Sequence, residues 1–154
     1  VSLYLSACQS ALFDQVLAQR LATFDQVLTG DIACKHANGA CFLVDDATSA
    51  APRAAAFEIS ATGPLFGARM LAPQGEPLAL EEAVLAAAGL TGADFSQAGP
   101  ARLSGERRPL RVPLGTPRLT SQDGDLVVEF DLPKGSYATI VLRELMKRPT
   151  LDSP

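Results

Sequence analysis

The chain has 154 residues and a mass of 16.1 kDa, with 47% hydrophobic and 19% charged residues, which bounds it to one domain or parts of two and argues against wholesale disorder. The formal net charge is -4, no apolar run is long enough to span a bilayer, and no basic stretch precedes an apolar one in the manner of a secretory signal. Three cysteines, an odd number, argue against a disulfide framework and suit a reducing cytoplasm. Val1 opens directly into an amphipathic pattern, so the chain is expected to be the C-terminal part of a longer protein.

In chain order, Leu5, Cys8, Leu12, Val16 and Phe13, Leu17, Leu21 recur at helical spacing, with Gln9, Gln15, Gln19 and Arg20 on the other face. This predicts an amphipathic helix over 2–24. Gly30-Asp31 marks a turn and Ala40–Val44 a short strand. Thr48–Arg53 reads as a loop or a weak helix start. Phe57–Ser60 alternates like a strand, and Thr62–Gly67 reads as a glycine-bounded turn. Pro77–Ala88 is a second helix. Pro77 suits its first turn and Gly89 the position after its end, and Glu81 and Glu82 lie where the helix dipole favours acids. Thr91–Pro100 is a polar connection, and Pro109, Pro113 and Pro117 keep the next stretch extended or irregular. Leu126, Val128, Phe130 and Leu132 alternate with polar or smaller residues in the cleanest strand of the chain, after a hairpin turn at Asp123-Gly124. Ser136 is placed to cap a last helix running to Lys147, with Ile140, Val141 and Leu145 toward a core and Pro149 as its stop.

Charge is uneven. Residues 1–100 carry four bases against ten acids, whereas residues 101–154 carry nine against seven. Arg102 to Arg118 holds five arginines and one acid, Glu106. Such a stripe can hold phosphate despite a pI near 4.9, because its field extends over about 8–10 Å; a solvated arginine-rich loop gives the same pattern. Cys34, His36 and Cys41 lack the paired spacing and fourth ligand of a structural zinc site, so no metal is expected. Gly63–Gly67 is followed by Ala68-Arg69 rather than Gly-Lys-Ser/Thr, so it is no Walker loop. No nucleophile elbow of the Gly-x-Ser-x-Gly type accompanies His36.

Two segments carry more. In Gly105–Arg111 three arginines lie on an extended stretch whose alternation puts Arg107 and Arg111 on one face, and guanidinium forks suit phosphate oxygens. Glu106 neutralising them is the plainer alternative. Lys134–Thr139 is a strand-to-helix junction in which Gly135 allows a tight turn and the free N–H groups of the helix start can receive an anion or polar ligand. Tyr137 there can stack on a base or pack in a core.

Together the segments resemble a known family. Phe130–Leu145, with Leu132-Pro133-Lys134-Gly135-Ser136-Tyr137-Ala138-Thr139 at its centre, resembles the C-terminal signature of the TruD family of tRNA pseudouridine synthases. Gly105–Arg111 is similar to the family's segment upstream of that signature, and Ser6–Arg20 to its Ser-Ala-x-x-Ser-x-Leu-Phe-Asn helix. Gly30-Asp31 and Thr62–Gly67 fall in matching order between them. The resemblance implies an α+β chain. Residues 1–115 would be the remainder of the family's inserted α/β domain, and 116–154 the last strand and helix of a catalytic domain with a mixed sheet.

It also implies metal-free and cofactor-free chemistry in the cytoplasm. A uridine of tRNA, position 13 in the family, is flipped out of its stack, its N1 glycosidic bond is broken, and C5 is rejoined to the ribose. Tyr137 would touch the base, with Gly135, Ser136 and Thr139 shaping the pocket wall. Arg143 would pair with an aspartate or a phosphate, or make a structural ion pair. Arg107, Arg108 and Arg111 would hold the RNA backbone. The family's catalytic aspartate sits in a Gly-x-Lys-Asp motif, and no Lys-Asp pair occurs in this chain; nor does its Asn-x-Phe-Gly-type segment. No catalytic residue is therefore assigned, and the nucleophilic aspartate is expected upstream of Val1. Asp31, Asp125 and Asp131 do not fill that role. A non-catalytic RNA-binding module and a small scaffold domain remain the alternatives.

Overall fold

The computed structural model describes residues 2–96, 104–133 and 135–147. They fall into two compact units, Val1–Arg111 and Val112–Pro154. The first begins with helix α1, Ser2–Arg20, extended by a 3-10 turn at Leu21–Thr23. Leu12, Phe13 and Val16 are buried along one side of it, three to four residues apart as a core-facing helix requires. Gln9 and Arg20 were expected on the solvent side, and the structure buries both. The Gln9 amide donates to the Phe66 carbonyl at 2.6 Å, and the Arg20 guanidinium forks onto Asp31 at 2.9 and 3.1 Å. A long polar side chain can sit in a core when its end is hydrogen-bonded there.

The first unit holds a four-stranded sheet in the order β2-β1-β3-β4, every pairing antiparallel. Its strands are β1 Ile32–Lys35, β2 Cys41–Leu43, β3 Ile59–Leu65 and β4 Glu106–Pro109. Strand β1 has no counterpart in the sequence reading, because four residues are too few to show an alternation. Its register sets Cys34 opposite Cys41. The two are joined as a disulfide with Cα atoms 4.1 Å apart, which leaves Cys8 as the free thiol. The expectation of no disulfide is thereby corrected: an odd count leaves one cysteine over but does not prevent a pair.

Helix α2, Ala47–Ala55, decides the stretch read as a loop or a weak helix start in favour of helix. The Asp46 side chain caps it, accepting from the Thr48 and Ser49 N–H groups, and these bonds hold the Asp46 carboxyl below its usual range. Pro52 lies inside this helix and removes a backbone donor; burial of Ala50 and Ala54 compensates. The predicted turn at Thr62–Gly67 is largely strand, since β3 continues through Gly63 and Pro64 to Leu65. Gly63 is needed there because a Cβ would lie 2.9 Å from the Phe13 ring.

Helix α3, Gly75–Ala87, ends at Gly89 with φ +68° as expected. A short helix α4, Gly92–Ser96, interrupts the predicted polar connection. Two buried clusters hold the unit together. One joins Phe13 to Ala33, Ala50, Ala54, Ile59 and Ala61. The other joins Leu12 and Val16 to Phe66, Val84, Leu85 and Phe95.

The second unit is a hairpin of β5, Gly115–Gln122, and β6, Asp125–Asp131, followed by helix α5, Ala138–Met146. Asp123 and Gly124 both have positive φ, +52° and +89°, the backbone of the tight hairpin turn read from the sequence. Among the described residues of this unit no side chain is buried. Ile140 and Leu145, expected in a core, are 49% and 55% exposed. The helix cap moves one residue from Ser136 to Tyr137, without a side-chain cap. Pro149 lies outside the described residues. The fold is α+β throughout, and the expected mixed sheet is represented by an antiparallel hairpin alone.

Candidate functional site

The residues singled out from sequence fall into both units. In the second, the chain leaves β6 through Leu132-Pro133 and turns at Gly135, whose φ of +88° a side chain would strain. The Ser136 N–H closes that turn on the Pro133 carbonyl at 3.1 Å. Tyr137 follows as the helix cap, in extended conformation and 69% exposed. Thr139 and Arg143 are four residues apart on α5, hence on one face, and both are exposed. Lys134 lies outside the described residues.

Beside this junction an open groove of about 730 Å³ runs between the hairpin and the first turn of α5. Its walls include Thr116, Arg118, Glu129, Phe130, Asp131 and Ala138. Only Ala138 belongs to the predicted junction; Gly135, Ser136, Tyr137 and Thr139 do not line the groove. Arg118 and Glu129 are partners in the β5–β6 register. That pairing was hidden in the sequence, because the stretch to Pro117 was read only as extended or irregular, which fixes no register. The arrangement offers an exposed aromatic ring, the N–H groups of a helix start and charges of both signs along an open face. These groups can bind a nucleotide.

In the first unit the three arginines have separate fates. Arg107 is buried, at 7% exposure. Its guanidinium forks onto Glu81 of α3 at 2.7 and 3.1 Å and donates to the Thr62 carbonyl at 2.9 Å and hydroxyl at 3.0 Å. Burial pushes the Glu81 carboxyl up, and the Arg107 hydrogen bonds oppose that only in part. Arg107 therefore holds α3 to the sheet and does not face solvent. Arg108, half-buried, lies 5.5 Å over the Phe13 ring. Arg111 stacks at 3.9 Å over Phe57, donates from Nε to the Ser60 hydroxyl at 3.1 Å, and donates from Nη2 to the Ala54 carbonyl. The shared face of Arg107 and Arg111 expected from alternation exists, but it is the covered face at Arg107 and the margin of the sheet at Arg111. Asp31 is saturated by Arg20 and by the Leu28 N–H at 2.7 Å, which gives it a structural place.

Sequence reasoning missed a group around Ser60. The His36 Nε2 is 2.8 Å from the Ser60 hydroxyl, and its ring lies 5.5 Å from Phe57. Burial and the neighbouring Arg111 charge lower the His36 pKa. The only signal for this group was the β1–β3 register, which short strands do not announce. Among the described residues no three His, Cys, Asp or Glu side chains gather as a metal site, and no helix is long and apolar enough to cross a membrane.

Comparison with known proteins gives the chain a family. The family model for tRNA pseudouridine synthase D (TruD) matches residues 1–145. The chain is 67% identical over 147 residues to a tRNA pseudouridine synthase D of Geobacter sulfurreducens, covering 96% of this chain and 36% of that protein. It is 47% identical over 150 residues to one of Thermus thermophilus, covering 96% of this chain and 40% of that protein. Its fold matches the crystal structure of a tRNA pseudouridine synthase D from Methanosarcina mazei with a TM-score of 0.71 and 26% identity, over 91% of this chain and 36% of that one. The chain thus spans little more than a third of the length of these relatives, and within that span it belongs to the TruD family of tRNA pseudouridine synthases.

Proposed function

We propose that this chain is the C-terminal portion of an enzyme that isomerises uridine in tRNA, at position 13, to pseudouridine, with residues 1–115 completing the inserted domain and 116–154 contributing to the catalytic domain. The observation that carries this reading is the second unit. Among its described residues no side chain is buried, yet it displays Tyr137, Ile140, Leu145 and Met146 as exposed large hydrophobics. An apolar helix face on a hairpin is stable only when further chain covers it, and the relatives have nearly two thirds of their length outside this match.

In this reading the catalytic aspartate comes from that other portion. Tyr137 receives the flipped base, Gly135, Ser136 and Thr139 shape the wall beneath it, and Arg143 meets the aspartate or a phosphate. Flipping costs a few kcal/mol, which stacking on an exposed ring can return. Arg108 and Arg111 hold the RNA backbone. Arg107 supports them from beneath the sheet rather than touching phosphate.

The test is to supply the remaining family portion in trans and measure pseudouridine in a tRNA transcript. Product formed only when both parts are present, and lost with Tyr137→Ala, supports the reading. Full activity with Tyr137→Ala overturns the site.

A further inference from the structure

One end of the four-stranded sheet gathers positive charge of which the reading above uses only Arg111. The end of β1, the start of β3, the end of β4 and the last turn of α2 converge there. Their backbone bonds tie them together, His36 N–H to the Glu58 carbonyl and Glu58 N–H to the Arg53 carbonyl, each at 3.0 Å. Lys35 and Arg53 flank one ring, with Nζ and the guanidinium carbon 5.9 and 5.6 Å from the Phe42 centroid. Arg111 lies on the second ring, Phe57, beside His36. One acid, Glu58, answers them, in a 3.3 Å bridge to Arg53 that is 61% exposed on the Glu58 side. The acids Asp31, Asp45 and Asp46 occupy the opposite end, where β1 and α2 begin.

Capping of α2 accounts for part of this arrangement, since cations suit a helix C-terminus and Arg111 donates to the Ala54 carbonyl. Capping leaves two features unexplained. The Arg53 Nη atoms, the Arg111 Nη1 and the Lys35 Nζ have no polar partner among the described residues. In addition, Phe57 follows the α2 cap with φ +59°, at the position where glycine is the usual residue. A bulky side chain there costs on the order of 1 kcal/mol. A glycine would terminate the helix without that strain but would supply no ring beneath Arg111.

We propose that this end of the sheet, formed by Lys35, His36, Phe42, Arg53, Phe57 and Arg111, is a docking surface for the phosphate backbone of RNA, within the inserted domain and additional to the Tyr137 junction. The inference rests on the RNA-modifying reading above, which supplies the polyanion. The rings hold the cations in place before contact, so less side-chain freedom is lost on binding. Stacking also leaves guanidinium edges turned outward for phosphate oxygens.

The experiment measures binding of a fluorescein-labelled tRNA transcript to the 154-residue chain between 50 and 200 mM salt, for wild type, Lys35→Gln/Arg53→Gln and Phe57→Gly. The double variant changes exposed or half-exposed positions. It is expected to weaken binding about tenfold at low salt and to lower the slope of log affinity against log salt by about 1.4–1.8, as two lost phosphate contacts require. Phe57→Gly is expected to weaken RNA binding several-fold while leaving the urea midpoint unchanged or higher, a combination that a purely structural ring would not produce. An unchanged slope in the double variant overturns the proposal. So does wild-type chain that binds no RNA, or that binds poly-glutamate as tightly as RNA, which would mark a different polyanion. The pseudouridine assay in trans reads the parent function separately: product formed with an unchanged slope removes this surface and leaves that function standing.

Discussion

Replacing Arg107 with methionine isolates the buried ion pair between β4 and α3. The substitution keeps an unbranched side chain of similar length but removes all the polar contacts of the guanidinium. Glu81 is then left at 5% exposure with no cation, a situation that costs about 3–5 kcal/mol if the charge is retained. The carboxyl has an escape, since it can take up a proton. From its ordinary value of 4.5, neutralisation at pH 7 costs about 3 kcal/mol at 1.4 kcal/mol per pH unit. The unmet Thr62 carbonyl and hydroxyl add about 1 kcal/mol.

The expected loss is therefore about 4 kcal/mol at pH 7. The sign follows from linkage: the variant's folded state binds a proton that its unfolded state releases above 4.5, so stability recovers as pH falls. At pH 5 the loss shrinks to about 2 kcal/mol. Urea unfolding followed by far-UV circular dichroism at both pH values measures this. The double variant Arg107→Met/Glu81→Leu removes both charges and is expected within about 1 kcal/mol of wild type. A loss for Arg107→Met that is below about 1 kcal/mol, or that is equal at the two pH values, would refute the reasoning.

Further outcomes are expected. Gly105→Ala should cost about 2–3 kcal/mol, because φ there is +76° and a Cβ would stand 2.8 Å from the Gly67 backbone; an unchanged urea midpoint contradicts the packing described. His36 has a lowered folded pKa, so stability should fall as pH drops below about 6.5, where the unfolded chain takes the proton first; His36→Gln should flatten that dependence, and an undiminished slope would place its origin elsewhere. Tyr137→Ala should leave the unfolding midpoint of the isolated chain within about 0.5 kcal/mol, given its exposure, while abolishing activity in the complemented enzyme. Thiol titration of the denatured, non-reduced chain should find one thiol, Cys8, and three after reduction; three from the start would refute the disulfide.

Helices α1 and α3 and strand β6 were legible in the sequence because each is long enough for its period to show, and because glycines stand where the backbone must turn left-handed, at Gly89 and Gly124. The family motifs were legible for the same reason that Gly135 was: a local backbone need restricts the residue. Strand β1 and the course of β3 through Gly63-Pro64 were not legible. The first is only four residues, and the second holds turn-forming residues that a neighbouring strand and the Phe13 ring keep extended.

The candidate site divides along the same line. The Gly135–Thr139 strand-to-helix junction could be placed from local sequence, whereas its reading as a site came only from the family resemblance. The separation of three neighbouring arginines into a buried pair, a stacked half-buried cation and a helix-capping fork depended on partners far away in the chain, Glu81, Phe13 and Ala54. Sequence determined which positions along the chain carry charge and where the backbone turns. Tertiary structure alone decided which charges lose their water, because desolvation and pairing depend on side chains brought together by folding.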